Sequence, residues 1–236
     1  MNSFASPQTL GALPFPRTSN GKPPVVDLYS RVFDAILEQR IEASSRFTEE
    51  SLAQMFSVRR SDIRGVLTQL SHQQIIVLRP NHGPRVAALN AEQTRQTLHA
   101  RRLTELTLVR LACQQPQAND VQRLQELVKR ERQCLERDQR GTAIRLAGEF
   151  HLALADMAGN APLAHFLGSL VPLTSLAIAQ FDASAQVYCG WREQVGIVDA
   201  VERGDAVMAT GLMNRHLDQI EDMLLNSEPC QNRVAG

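Results

Sequence analysis

The sequence predicts a mainly α-helical protein, with an N-terminal winged helix-turn-helix followed by an all-helical antiparallel bundle. Three observations carry this expectation. Residues 48–74 hold two short amphipathic segments joined by a tight turn, the second with a basic face. Two β-rich segments around Pro80-Asn81-His82-Gly83-Pro84 follow directly. From Asn90 onward only helical periodicity remains.

Residues 1–25 are rich in Pro, Ser, Gly and Asn and read as a disordered arm. Residues 26–89 read as the winged head. Its first helix spans about Val26 to Gln39, with Leu28, Val32, Phe33, Ile36 and Leu37 on one face. The second starts at Thr48, an N-cap type, with Glu49 and Glu50 at the positive end of the helix dipole. Phe47 and Leu52 occupy the two places of a hydrophobic staple. Phe56-Ser57-Val58 makes the turn. The third helix spans about Ser61 to His72, with Ile63, Val66, Leu67 and Leu70 on one side and Arg60, Arg64 and Thr68 on another. Strands are expected at Ile76–Leu78 and Arg85–Ala88.

Residues 90–226 read as helices capped at Asn90 and then at about 119–139, 142–158, 162–170, 172–184, 187–203 and 205–226. Gly159-Asn160 and Gly204-Asp205 supply stop signals, and Pro162 suits a first helical turn. Such a bundle is large enough to enclose a pocket. Residues 227–236 read as a loose tail.

Composition narrows the function. The 236 residues carry 25 Lys and Arg against 25 Asp and Glu, so the molecule as a whole has no nucleic-acid signature. The charge is uneven: residues 1–90 hold 10 basic and 7 acidic side chains, and the remainder 15 and 18. A basic front on an acidic back suits a DNA-reading head on a regulatory body. Cys113, Cys134, Cys189 and Cys230 lack any Cys-x-x-Cys spacing and read as reduced thiols. No apolar run is expected to reach the roughly 20 residues that cross a bilayer, and no secretory signal is read at the N-terminus. The expected place is the cytoplasm, with no membrane partner.

DNA recognition needs phosphate contacts for position and base-edge contacts for sequence. Arg60 and Arg64, one turn apart, are spaced to give guanine bidentate hydrogen bonds from the major groove. Arg59 and Ser61 lie at the helix entrance, where free backbone N–H groups favour phosphate. Thr68 continues the stripe, and Arg79, His82 and Arg85 would bring the wing to the backbone or minor groove. This reading requires guanidinium groups 60 and 64 to face outward rather than be buried or held by acidic partners.

The head resembles the DNA-binding domain of GntR-family regulators over residues 27–89. The resemblance rests on Leu52-Ala53, on Val58-Arg59-Arg60-Ser61-Asp62-Ile63-Arg64-Gly65-Val66-Leu67, and on Arg79-Pro80-Asn81-His82-Gly83. Arg59 stands where the family has serine and Asp62 where it has proline. The resemblance implies that Arg60 and Arg64 touch DNA and that Gly83 lets the wing approach the minor groove.

Residues 90–226 resemble the FCD effector domain of the FadR subgroup. The matching stretches are Arg101-Arg102-Leu103-Thr104-Glu105, Phe150-His151 with Ala158-Gly159-Asn160, and Ala200-Val201-Glu202-Arg203-Gly204-Asp205 with Met213-Asn214-Arg215-His216-Leu217. Many members bind a divalent metal through an aspartate, a histidine four residues on, and two further histidines. His151 and His216 are present here, but Ala147 stands for the aspartate and Gln194 for the middle histidine. Glu149 points to the other side of its helix. The expectation is therefore no resident metal or other cofactor, and a pocket for a small organic effector. His151, Gln194 and His216 would exchange hydrogen bonds with it, and Arg101 would bind a carboxylate. The alternative for His151, on a stripe with Ile144, Ala147 and Leu154, and for His216, with Leu212 and Ile220, is core histidines bonded to their neighbours.

The function expected is a ligand-responsive transcriptional regulator, a homodimer on a palindromic operator, with repression the expected sign because it is commoner in the resembled family. Two other classes compete: an interaction module whose winged helix no longer binds DNA, and a helical-bundle enzyme. The retained arginines oppose the first. The lack of a nucleophile motif, a phosphate loop or an acid-base pair opposes the second.

Overall fold

The computed structural model describes residues 28–41, 47–79, 82–181 and 190–226. The expected arm at 1–25, the tail at 227–236, the hairpin tip at 80–81, Cys189 and Cys230 lie outside them.

The head comprises α1 (Leu28–Leu37), α2 (Glu49–Phe56), α3 (Arg60–His72), β1 (Ile76–Arg79) and β2 (His82–Val86). Thr48 caps α2 through its Oγ1, which accepts from Ser51 N at 3.0 Å, and Ser51 Oγ reciprocates. Ser57 ends the helix in the left-handed region, φ 55°, and so turns the chain into α3. The two strands pair antiparallel, Ile76 with Val86 and Val77 with Arg85. Val32, Phe33, Ile36, Leu52, Phe56, Ile63, Leu67 and Leu70 form the head's core.

The body comprises α4 (Ala91–Ala112), α5 (Ala118–Glu136), α6 (Arg140–Met157), α7 (Ala161–Gln180), α8 (Trp191–Glu202) and α9 (Ala206–Glu221), closed by a π-helical turn at Asp222–Asn226. Asn90, Asn160 and Asp205 cap α4, α7 and α9 with their side chains. Residues 162–180 form one helix, not two: Pro172 lies inside α7. Proline removes one helical hydrogen bond, but Val171, Leu173 and Leu176 are buried beside it, and their packing holds the helix continuous. This helix also corrects the expectation about apolar runs. It is long and apolar enough to cross a membrane by length and composition, yet half of its apolar window is buried in the bundle.

Head and body share a core. Ile144, Leu173, Leu176 and Ala179 of the body join the head's apolar cluster. Polar contacts reinforce the seam. Arg145 Nε and Nη2 donate to Asp34 Oδ1 and Oδ2 at 2.6 and 3.2 Å, and Thr142 Oγ1 donates to Asp34 Oδ2 at 3.0 Å. Gln39 Nε2 donates to the Ala179 carbonyl at 2.6 Å, and Gln180 Nε2 to the Ala87 carbonyl at 2.7 Å. Gly141 allows the close approach: a Cβ there would lie 2.5 Å from Glu38 Cγ and 2.8 Å from the Asp34 carbonyl.

Candidate nucleic-acid interface and effector site

The buried side of α3 is fixed by Ile63, Val66, Leu67 and Leu70, so Arg60, Arg64 and Thr68 are exposed on the opposite stripe. The side chains of Arg60 and Arg64 are 60% and 63% exposed, which meets the requirement that they face outward. The other half of the requirement is not met: one acidic side chain, Glu49, holds both. Arg60 Nε donates to Glu49 Oε2 at 2.8 Å, and Arg64 Nε and Nη2 donate to Glu49 Oε1 and Oε2 at 3.0 and 2.9 Å. The hydrogen bonds from Arg64 and then Arg60 hold the Glu49 carboxyl at about 2, well below the usual range. Along the chain Glu49 reads only as a partner of the helix dipole. Its second role depends on where α2 sits against α3, which spacing along the chain does not reveal.

The geometry of this contact matters. Glu49 takes Arg64 along its Nε–Nη2 edge and Arg60 at Nε. Among the described residues Nη1 and Nη2 of Arg60 and Nη1 of Arg64 make no hydrogen bond, while Arg64 Nη2 keeps one proton beyond the one it gives Glu49. The Nη1–Nη2 end is the fork that fits O6 and N7 of guanine. Arg59 is 85% exposed and loosely tied to Asp62, with Nε–Oδ2 at 3.2 Å. Ser61 is exposed, and its hydroxyl reaches Asp62 Oδ1 at 3.5 Å. Thr68 Oγ1 donates to the Arg64 carbonyl at 2.9 Å.

In the wing, Arg85 is exposed. Arg79 and His82 pair through their backbones at the end of the hairpin, and their side chains lie outside the described residues. Gly83 sits in β2, not at the tip. A Cβ on it would lie 3.0 Å from the Phe47 carbonyl, so the structure gives this glycine a packing reason.

The body holds a second polar cluster. Arg101 on α4, His151 on α6, Gln194 on α8 and His216 on α9 are all at least 98% buried. Two carboxylates that sequence reading had not assigned to the site complete it. Glu105, one turn beyond Arg101, bonds Arg101 Nε and faces His151 Nδ1 at 2.5 Å. Glu193 faces His216 Nδ1 at 2.8 Å. The two Nε2 atoms lie 3.1 Å apart, and the rings stack with centroids 5.0 Å apart. The result is a chain from Glu105 through His151 and His216 to Glu193. Its three contacts at ring nitrogens need three protons. The i, i+4 spacing of Arg101 and Glu105 was a usable signal. The contact of Glu193 with His216 joins two helices and left none.

Burial drives the ionisation here. It raises Glu105, but the charge of Arg101, then the contact with His151, outweigh it and hold the carboxyl at about 2. Burial lowers His151 to about 4 against the pull of Glu105, so its ring is neutral at pH 7. On α5, Glu131 is 2% exposed, and burial pushes it up to about 8; the Trp191 backbone and the Gln194 amide pull the other way too weakly to matter. The Gln194 side-chain amide nevertheless makes no hydrogen bond of normal geometry: its Nε2 and Oε1, together with Glu131 Oε2 and Arg101 Nη2, are buried without a partner. Buried orphans of this kind are costly and call for an explanation.

A divalent metal of the kind the fold implies does not fit these donors. Ala147 has no ligand atom, and Gln194 offers only a neutral amide oxygen. Among the described residues no group of three or more His, Cys, Asp or Glu is arranged to hold an ion. Arg102 lies outside the cluster and joins α4 to α9, donating to Asn214 Oδ1 at 2.7 Å and to Glu221 Oε2 at 2.7 Å.

Residues 24–86 match the family of bacterial regulatory proteins named gntR, and residues 96–219 match the FCD domain. The chain is 28% identical over 197 residues to the HTH-type transcriptional regulator LutR of Bacillus subtilis, covering 74% of this chain and 89% of LutR. Among solved structures, E. coli McbR/YncC superposes with a TM-score of 0.70 at 16% identity, covering 84% of this chain and 95% of that one. A putative GntR regulator from Rhodococcus sp. RHA1 gives 0.69 at 20% identity, covering 84% and 96%. At these identities the two structures speak for the fold alone. With a winged head carrying an exposed basic helix, a helical body and both family matches in sequence, the chain belongs to the GntR family of transcriptional regulators with an FCD C-terminal domain, and is not an enzyme.

Proposed function

We propose that this regulator reads a palindromic operator as a homodimer and releases it when a small organic anion enters the body, so that it acts as a repressor in the cytoplasm. The observation that carries the reading is the pair of outward guanidinium forks at Arg60 and Arg64, on a head whose core is continuous with the body. In this reading Arg60 and Arg64 contact guanine edges, with Thr68 further along the same stripe. Arg59 and Ser61 contact phosphate, while Arg79, His82 and Arg85 bring the wing to the flanking backbone beside Gly83. A two-fold protein suits a two-fold site, and two heads bind where one alone is weak.

The effector reading rests on the orphaned atoms. Arg101 Nη2 has no acceptor and the Gln194 amide has neither donor nor acceptor. A carboxylate would satisfy the first, and a neighbouring polar group the second. His151 and His216 stack on each other, so the ligand must part them or lie against their edges. It acts only if it favours one placement of the heads over the other. The coupling element is α6, which carries both His151 and Arg145.

The experiment is a selection of random DNA duplexes by the purified protein, followed by gel shifts with Arg60→Ala and Arg64→Ala. The expected result is a palindromic site whose affinity falls about tenfold or more in each variant. Unchanged specific affinity in both variants would remove the recognition-helix assignment. For the body, a thermal-shift screen of small carboxylates should find ligands that stabilise the wild type and lose effect in Arg101→Ala. A ligand that protects both equally would place the effector elsewhere.

A further inference from the structure

We propose that Glu49 is a specificity-determining residue for operator reading: by holding the side edges of Arg60 and Arg64, it aims their outer forks at bases and withholds them from phosphate. The inference rests on the recognition role proposed above for those two arginines.

An exposed arginine has a long, mobile side chain, and its charge is drawn to the dense negative charge of the DNA backbone, which carries no sequence information. Two untethered arginines on one helix would therefore strengthen binding to any duplex. Here one carboxylate bonds both. Glu49 stands at the first turn of α2 and bridges to the first and second turns of α3, with contacts of 2.8, 2.9 and 3.0 Å. Its own side chain is only 24% exposed, so it is held more firmly than the arginines that it grips.

Two consequences follow. Rotamer freedom is removed before DNA arrives, so less is lost on docking. A negative charge is also placed beside the recognition stripe, where it opposes the full charge of phosphate oxygens more strongly than the partial charges of guanine O6 and N7. Discrimination between partners is a difference of affinities, and a group that weakens the wrong contact raises it as surely as one that strengthens the right contact. The neighbouring acid, Asp62, does not compete for this role. It holds Arg59 at 3.2 and 3.4 Å, and Arg59 remains the more exposed side chain.

The test uses the full-length protein, the duplex it selects from a random pool, and a scrambled duplex of equal length. Two variants separate position from charge. Glu49→Gln removes the charge. It should bind the scrambled duplex more tightly, steepen the dependence of log affinity on log salt by about 0.9, equivalent to one more phosphate contact, and lower the ratio of specific to non-specific affinity about tenfold. Glu49→Asp keeps the charge but is one methylene too short to bridge both arginines. It should lower the ratio while leaving the salt slope as in the wild type. A ratio unchanged in both variants, with thermal unfolding also unchanged, overturns the proposal. Arg60→Ala and Arg64→Ala run beside them as controls. If those two leave specific binding intact, the recognition role itself fails. If they abolish it while the Glu49 variants keep the ratio, only the role of Glu49 fails.

Discussion

Arg145, on the sixth helix, grips Asp34, on the first, with two hydrogen bonds across the boundary between head and body. Both side chains are almost wholly buried, 7% and 11% exposed. Burial alone would lower the Arg145 pKa, but Asp34 and Glu149 raise it, so the charge is retained. A buried pair contributes less than its Coulomb energy suggests, yet breaking it from one side leaves an uncompensated charge. Asp34→Ala should therefore cost about 3 kcal/mol in urea unfolding. Asp34→Leu combined with Arg145→Met should cost less than the sum of the single changes, because it removes both charges together. A strictly additive pair would show that the contact is not made in solution.

Gly141 supplies a second probe of the same seam. A methyl group there meets the Glu38 side chain and the Asp34 carbonyl inside contact distance, and overpacking of this kind costs about 1–3 kcal/mol. Gly141→Ala should lower the unfolding temperature and also weaken the response of operator affinity to the effector, since α6 joins the effector cluster to the head. Retention of the full response in a destabilised Gly141→Ala protein would mean that the signal travels by another helix.

These contacts mark what could be read along the chain and what could not. Thr48, Asn90 and Asp205 announce helix starts by local chemistry, and each caps its helix; Asn160, readable only as part of a stop signal, caps one as well. The stripe of Arg60, Arg64 and Thr68 was visible because helical spacing alone sets it. The inward placement of His151 and His216 followed from their apolar stripes, that of Gln194 from the family pattern, and Arg101 was named for its charge and fork rather than for burial. Asp34 with Arg145, Glu49 with Arg60, and Glu193 with His216 were not legible. Each joins helices whose relative placement is a property of the packed core, and no spacing rule reports it. The break expected near residue 171 fails for the same reason: a proline such as Pro172 weakens a helix locally, and the apolar side chains around it keep α7 continuous.

Arg59, Arg60 and Arg64 should separate in a salt titration. Arg60→Ala and Arg64→Ala should each lose about 1–3 kcal/mol of operator affinity and relax sequence preference at one position of each half-site. Arg59→Ala should weaken operator and scrambled DNA alike and reduce the salt slope by about 0.9. Loss of sequence preference in Arg59→Ala would move the base contact to the helix entrance.

Gly65 faces solvent inside α3, and a Cβ there would meet nothing within 4 Å. Its backbone is helical, so alanine should stabilise the free protein by roughly 0.5–1 kcal/mol. The same methyl lies on the helix that carries the DNA-reading stripe. Gly65→Ala should therefore raise the unfolding temperature by about 1–4 degrees while weakening operator binding. If binding is unaffected, the helix does not approach DNA closely enough at this position to need a glycine.

Glu131 gives the protein a measurable pH dependence. In the folded state its pKa is raised to about 8 from the model-peptide 4.5. Between those values the folded protein keeps a proton that the unfolded chain has released. Stability is therefore fully present below about pH 4.5, is lost progressively as pH rises through 8, and levels off above it. His151 acts in the opposite sense. Its pKa is lowered from 6.5 to about 4, so its contribution is present above pH 6.5 and is lost as pH falls toward 4. The two slopes oppose each other between pH 4.5 and 6.5, and above 6.5 the Glu131 slope acts alone. Glu131→Gln removes it. The stability difference between Glu131→Gln and wild type should grow in favour of the variant from pH 5 to pH 9, reaching on the order of 4 kcal/mol. Urea unfolding at five pH values measures it. A difference that stays flat across that range would mean that Glu131 is solvated or paired in the folded protein, and the orphaned site beside Gln194 would then lose its physical basis.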